Sequence, residues 1–265
     1  MKTPSMKRKI LTAAIGMAMM AAAHAIPVLQ VGAPGGTGEG TYANYQTSLS
    51  TPTENDTAVT SGGTLFVAGV YQNNKVDHLG GQYAGGLNWS NFTAFNSLSI
   101  FDAQQAILLV SVAEGSLAAA SGLTVGGNSA FYTSTTLNNM FPNNHDPLKD
   151  GISDFLFFNI GNFTKNSNVV PDFVDETGAA DGEIKSLALS GFGTLAWAHF
   201  DVMALETTAG QTRIATTWEV NPGSHDVTWK NPNGGPPPVD VPEPASLALL
   251  GLGLIGLAAT RRKSA

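Results

Sequence analysis

Two uncharged apolar runs, Ile10–Ala23 and Ala245–Thr260, stand near opposite ends of this 265-residue chain, each with basic residues packed against it. Lys7-Arg8-Lys9 precedes the first and Arg261-Arg262-Lys263 follows the second. Basic clusters beside apolar runs orient a chain in a membrane, so the water-soluble fold has to form between them. Residues 26–240 supply that material. They contain no cysteine, and a unit of this size can bury a sufficient core without disulfides. They also carry nineteen acidic against six basic side chains, a formal charge of −13. A surface that acidic repels phosphate backbones, which excludes nucleic acid as a partner.

The first run reads as a secretory signal peptide over residues 1–25. Its charged start leads into the apolar stretch, and Ala23-His24-Ala25 offers the small-x-small cleavage pattern, with Ala23 and Ala25 as the recognised positions. The expected route is the Sec translocon. The second run spans about 24 Å as a helix, short of the roughly 30 Å hydrocarbon core. Arg261, Arg262 and Lys263 would stop transfer on the cytoplasmic side, leaving the acidic middle outside, as the signal peptide also requires. Gly251-x-Gly253-x-x-Gly256 within this run is not a nucleotide fingerprint. Only nine residues follow it, none of them acidic, and no βαβ unit surrounds it. Residues 230–241, with Pro236-Pro237-Pro238, cannot enter a sheet interior and form an extended linker. The expected organisation is therefore 1–25 signal, 26–229 ectodomain, 230–241 linker and 242–265 tail.

Between these boundaries the chain reads as all-β. Strand patterning runs through Tyr42–Leu49, Thr64–Gln72, Ala106–Ala113, Ala130–Leu137, Asp154–Phe163, Ile184–Leu189, Thr194–Leu205, Thr212–Val220 and Val227–Trp229. Turn formers such as Gly126-Gly127-Asn128 and Asn221-Pro222-Gly223 separate them. Ile214, Thr216, Trp218 and Val220 share one face of a half-solvated antiparallel strand. Gln104–Ala120 would also suit a helix. Many short strands without a fixed repeat favour a single β-sandwich, jelly-roll-like in architecture.

Three constellations bear on chemistry. Ser224-His225-Asp226 holds the residue types of a hydrolase triad, but along a strand His225 points away from its neighbours, and no Gly-x-Ser-x-Gly elbow occurs. It reads as a turn entering a strand. The histidines His78, His145, His199 and His225 are scattered without His-x-x-x-His spacing, which argues against zinc. His199 reads as a strand residue satisfied locally. Asp172, Asp175, Asp181 and Glu183 concentrate hard oxygen ligands in a glycine-containing loop, a weak calcium signal that lacks the EF-hand spacing. A solvated acidic loop is the alternative. Most aromatics, Trp89, Trp197, Trp218 and Trp229 included, read as core. No catalytic residue and no cofactor beyond calcium is expected, so the chain reads as a non-enzyme.

Val241-Pro242-Glu243-Pro244-Ala245-Ser246, followed by a Leu/Gly-rich apolar run and Arg-Arg-Lys, resembles the PEP-CTERM sorting signal of Gram-negative surface proteins. The resemblance implies that exosortase, a membrane-embedded transpeptidase-like enzyme, recognises Pro242, Glu243 and Pro244. It further implies an inner-membrane precursor, transient use of the span and a mature form at the cell surface, associated with exopolysaccharide or biofilm. Two prolines keep such a site extended, as a protease substrate should be. The stretch from Ala198 to Trp229 is similar to the last hairpins of choice-of-anchor ectodomains, which implies a β-rich domain without an assigned activity. A secreted polysaccharide-binding module, or a polysaccharide hydrolase delivered by the same tail, is the alternative reading.

Overall fold

β-Branched and aromatic residues dominate the middle of the chain, and there the computed structural model forms sheets. It describes residues 26–34, 58–72, 75–95, 97–137, 140–141, 146–173 and 178–233. Among these residues there are fourteen strands and no α-helix. In chain order they are β1 (Leu29–Gly32), β2 (Ala58–Thr60), β3 (Thr64–Val70), β4 (His78–Gly80), β5 (Ile107–Ala113), β6 (Thr124–Val125) and β7 (Asn128–Ser129). There follow β8 (Tyr132–Ser134), β9 (Ser153–Asn159), β10 (Asn166–Val170), β11 (Ala180–Ser190), β12 (Trp197–Ala209), β13 (Ile214–Val220) and β14 (Val227–Lys230).

The strands make two sheets. One runs β1-β3-β11-β6-β7, with β10 also on β11; the other runs β2-β14-β12-β5-β9-β8, with β13 and β4 also on β12. Every pairing is antiparallel except the parallel contact of β14 with β2. β12 organises the second sheet. Along one edge it pairs first with β14 (Phe200 opposite Val227) and then with β13 (Met203 opposite Val220). Its other edge holds β5 and then β4.

The two sheets share one apolar core. Leu29, Val31, Leu65 and Val67 come from the first, and Leu108, Val110, Phe200 and Val202 from the second. A second core lies on the opposite face of the larger sheet, where Ile107, Leu109, Phe155, Phe157, Met203 and Leu205 are covered by Trp89, Phe95 and Phe101. Those three rings come from short 3-10 turns between β4 and β5, at Trp89–Asn91, Thr93–Phe95 and Ser99–Ala103. Edge-to-face contacts tie Trp89 to Phe95 and Phe101 to Phe157 of the sheet, with ring centroids 5.0 Å and 5.3 Å apart. The larger sheet is thus covered on both faces, so β5, β9 and β12 read as near-continuous apolar runs rather than alternating ones.

That double cover resolves the ambiguity at Gln104–Ala120, where Ile107–Val112 form a fully buried strand and no helix. The mixed period around Gly69 has a related cause, since the ring of Phe163 lies against this glycine and a Cβ would overlap it. Eight of the nine expected strand segments overlap strands of the structure, although several ends differ; Tyr42–Leu49 falls outside the described residues. β1, β2, β4, β6, β7 and β10 were not anticipated. They are two to five residues long and owe their extension to the partners they pair with.

Candidate functional site

The turn Asn221-Pro222-Gly223 lies where β13 leaves the edge of β12 and β14 takes its place. Asn221 closes the gap between the two. Its Oδ1 accepts from Val202 N at 2.6 Å, and its Nδ2 donates to Asp201 Oδ1 at 3.1 Å and to the His225 carbonyl at 3.2 Å. Its own backbone N–H donates to the Val202 carbonyl at 3.1 Å, so the side chain continues the ladder that β13 has left.

Strand alternation then sorts the residues on either side of this joint. On β12 the even positions Ala198, Phe200, Val202 and Ala204 face the first sheet, while Trp197, His199, Asp201, Met203 and Leu205 face the other way. His199 pairs across β5 with Ser111 and across β14 with Thr228. Asp226, which precedes β14, reaches the same place, and His199, Asp201 and Asp226 are all 0–1% exposed.

Their geometry is compact. His199 Nδ1 lies 2.9 Å from Thr228 Oγ1, which turns Nε2 toward the carboxylates. Nε2 is 3.3 Å from Asp201 Oδ2 and 3.5 Å from Asp226 Oδ2. Among the described residues this is the one trio of histidine and carboxylate side chains whose ligand atoms all lie within 4.8 Å of one another, close enough to share a metal ion. Ser111 Oγ, on the same sheet face beside His199, is buried and has no hydrogen-bond partner among the described residues.

The sequence-predicted positions are distributed differently. His225 does point away from Asp226: its Nε2 meets Asp172 Oδ1 at 2.9 Å, a buried pair that ties the joint to the loop after β10. Gln30 of β1 holds the same loop through Pro171 O and Phe173 N. Asp181 accepts from Asn168 N at 3.1 Å. Glu183 accepts from Thr164 N at 2.6 Å and lies 3.4 Å from Lys185 Nζ. Asp172, Asp181 and Glu183 are therefore not gathered into one ligand set. Asp175 lies outside the described residues, as do Ala23, Ala25, Pro242, Glu243, Pro244, Arg261, Arg262 and Lys263. Trp89, Trp197 and Trp229 are buried, as expected of core residues.

The signal that could have marked the trio is His199-Phe200-Asp201. These are two polar residues at i and i+2 in a segment, Trp197–Leu205, whose other positions are apolar, and so lie on one face. Asp226 could not have been added from spacing, because only the β13–β14 joint brings it there.

Among the described residues no helix is long and apolar enough to cross a membrane; the expected span Ala245–Thr260 lies outside them. No curated protein and no solved structure shows significant similarity to the chain. Residues 240–263 match the PEP-CTERM protein-sorting motif, the recognition signal of exosortase, and so mark the chain as an exported protein sorted toward the cell surface.

Proposed function

We propose that this chain is a non-catalytic surface protein with a β-sandwich ectodomain. It leaves the cell through the Sec translocon, is released from the inner membrane by exosortase, and is retained in an exopolysaccharide matrix. The observation that carries this reading is the sorting motif at 240–263, which begins ten residues after β14 ends at Lys230. The last described strand ends before the motif begins, so removing the motif takes no residue from the described sheets. Two features of the domain lean the same way. The trio His199, Asp201 and Asp226 is enclosed, whereas a glycoside hydrolase needs carboxylates that reach the scissile bond of a bound sugar. The resemblance of residues 198–229 to choice-of-anchor hairpins supports the β-sandwich and assigns it no activity.

Mass spectrometry of the mature protein tests the sorting step. The expected product lacks Arg261-Arg262-Lys263 and is found outside the cell, and Glu243→Ala leaves the chain in the membrane. An extracellular protein that still carries the basic triplet would overturn processing. Matrix retention is read separately, by treating the surface fraction with polysaccharide-degrading enzymes. Release of the mature chain is expected, and its unchanged retention would refute the polysaccharide association.

A further inference from the structure

The joint between β13 and β14 carries an inference independent of how the protein is sorted. We propose that His199, Asp201 and Asp226 bind a structural divalent metal ion of the zinc class. Three observations point there. Nε2 of His199 stands 3.3 Å and 3.5 Å from one oxygen of each aspartate. A charge-assisted N–H···O bond closes to about 2.7–2.9 Å. Ligands at about 2.0–2.1 Å from a tetrahedral ion, in contrast, are spaced by about 3.3–3.4 Å along each edge. The separations match the edge of a coordination tetrahedron better than they match a hydrogen bond.

Two of the three ligands, His199 and Asp201, are also held by neighbours on the side away from the converging atoms. Thr228 takes the far nitrogen of the imidazole, and Asn221 takes the far oxygen of Asp201 while itself bonding to Val202 N. Outer partners of this kind fix ring orientation and ligand direction in protein metal sites. Ser111 adds a buried hydroxyl beside His199 that has no hydrogen-bond partner among the described residues. It is available to the remaining coordination position or to a water there.

The chemistry of the donors selects the ion. One imidazole nitrogen with two carboxylates suits Zn²⁺, whereas Ca²⁺ takes six to eight oxygens. Enclosure of all three side chains makes the site structural, so metal binding and folding are linked.

The test uses the full chain, purified and stripped with a chelator. Addition of zinc chloride is expected to bind one equivalent per chain. It should raise the folded-to-unfolded ratio about a hundredfold when free zinc is a hundred times its dissociation constant. Cobalt substituted at the same stoichiometry should give the strong visible absorption of a tetrahedral ion. Asp226→Asn and His199→Gln should weaken uptake at least tenfold, whereas Asp181→Asn should leave it unchanged. If the ligand variants do not fold, the stoichiometry and the cobalt spectrum of the unaltered chain decide alone. A stripped protein that takes up neither ion and melts at the same temperature with and without zinc would overturn the proposal. Equal stabilisation by calcium would overturn the assignment of the ion class.

Discussion

The two faces of β12 are both enclosed, yet they are enclosed by different means. The face toward the first sheet is apolar along its length, with Ala198, Phe200, Val202 and Ala204 packed against residues of both sheets. The opposite face changes character along the strand. Met203 and Leu205 join the aromatic cluster of Trp89, Phe95 and Phe101, whereas His199 and Asp201 meet Asp226, Thr228 and Asn221. The apolar face gains stability from area removed from water, which is tolerant of direction. The polar face depends on the direction of each contact, because a buried polar group that loses its partner costs more than the bond is worth. One strand therefore shows a core defined by volume beside a core defined by geometry.

Truncating each face separates the two. Phe200→Ala removes a fully buried ring that contacts Phe192 at 5.7 Å and should cost about 3–5 kcal/mol in urea unfolding. A loss below about 1 kcal/mol would mean that the sheets do not pack on this ring. On the polar face, Asn221→Ala deletes bonds to Val202 N, Asp201 and the His225 carbonyl and leaves them buried. The expected loss is about 2–3 kcal/mol although few apolar atoms are removed. A near-neutral effect would show that the joint is satisfied without its asparagine.

The smallest effect concerns charge at the far end of β12. Burial raises the pKa of the Glu206 carboxyl above its ordinary 4.5, and the charge of Glu219 on neighbouring β13 adds to the shift. The native state then holds this proton to higher pH than the unfolded chain does. Stability from this group is fully present below about pH 4.5 and is lost as the pH climbs through the raised value. Glu206→Gln should therefore raise the neutral-pH melting temperature slightly, by the equivalent of less than about 1 kcal/mol, because the site is partly solvated. The gain should vanish in scans at pH 4; a gain that persists there would assign the effect to packing instead of charge.

Much of the architecture was legible from period and punctuation. The runs Thr64–Gln72 and Thr212–Val220 read as strands and contain β3 and β13, and Asn221-Pro222-Gly223 reads as the break that separates β13 from β14. His225 and Asp226 do point apart, but not by strand alternation, since Gly223–His225 is a 3-10 turn and β14 begins only at Val227. The short strands β4, β6 and β7 did not announce themselves, since two or three residues carry no period. The acidic stretch at 172–183 reads as a ligand cluster because its carboxylates are close in sequence. In the fold Asp172 is taken by His225, while Asp181 and Glu183 accept from backbone N–H groups.

What the sequence determined by itself is the destination. The sorting motif at 240–263 is a local property that exosortase recognises along the chain, without any need for a fold. What the tertiary structure decided is which carboxylates meet. His199 and Asp201 lie on one strand face by alternation, but Asp226 is twenty-five positions further on and joins them only where one strand hands the sheet edge to the next. Local pattern specifies an element and the face a residue takes on it. Convergence of distant side chains depends on register between strands, and register is set by the packing of the whole sheet.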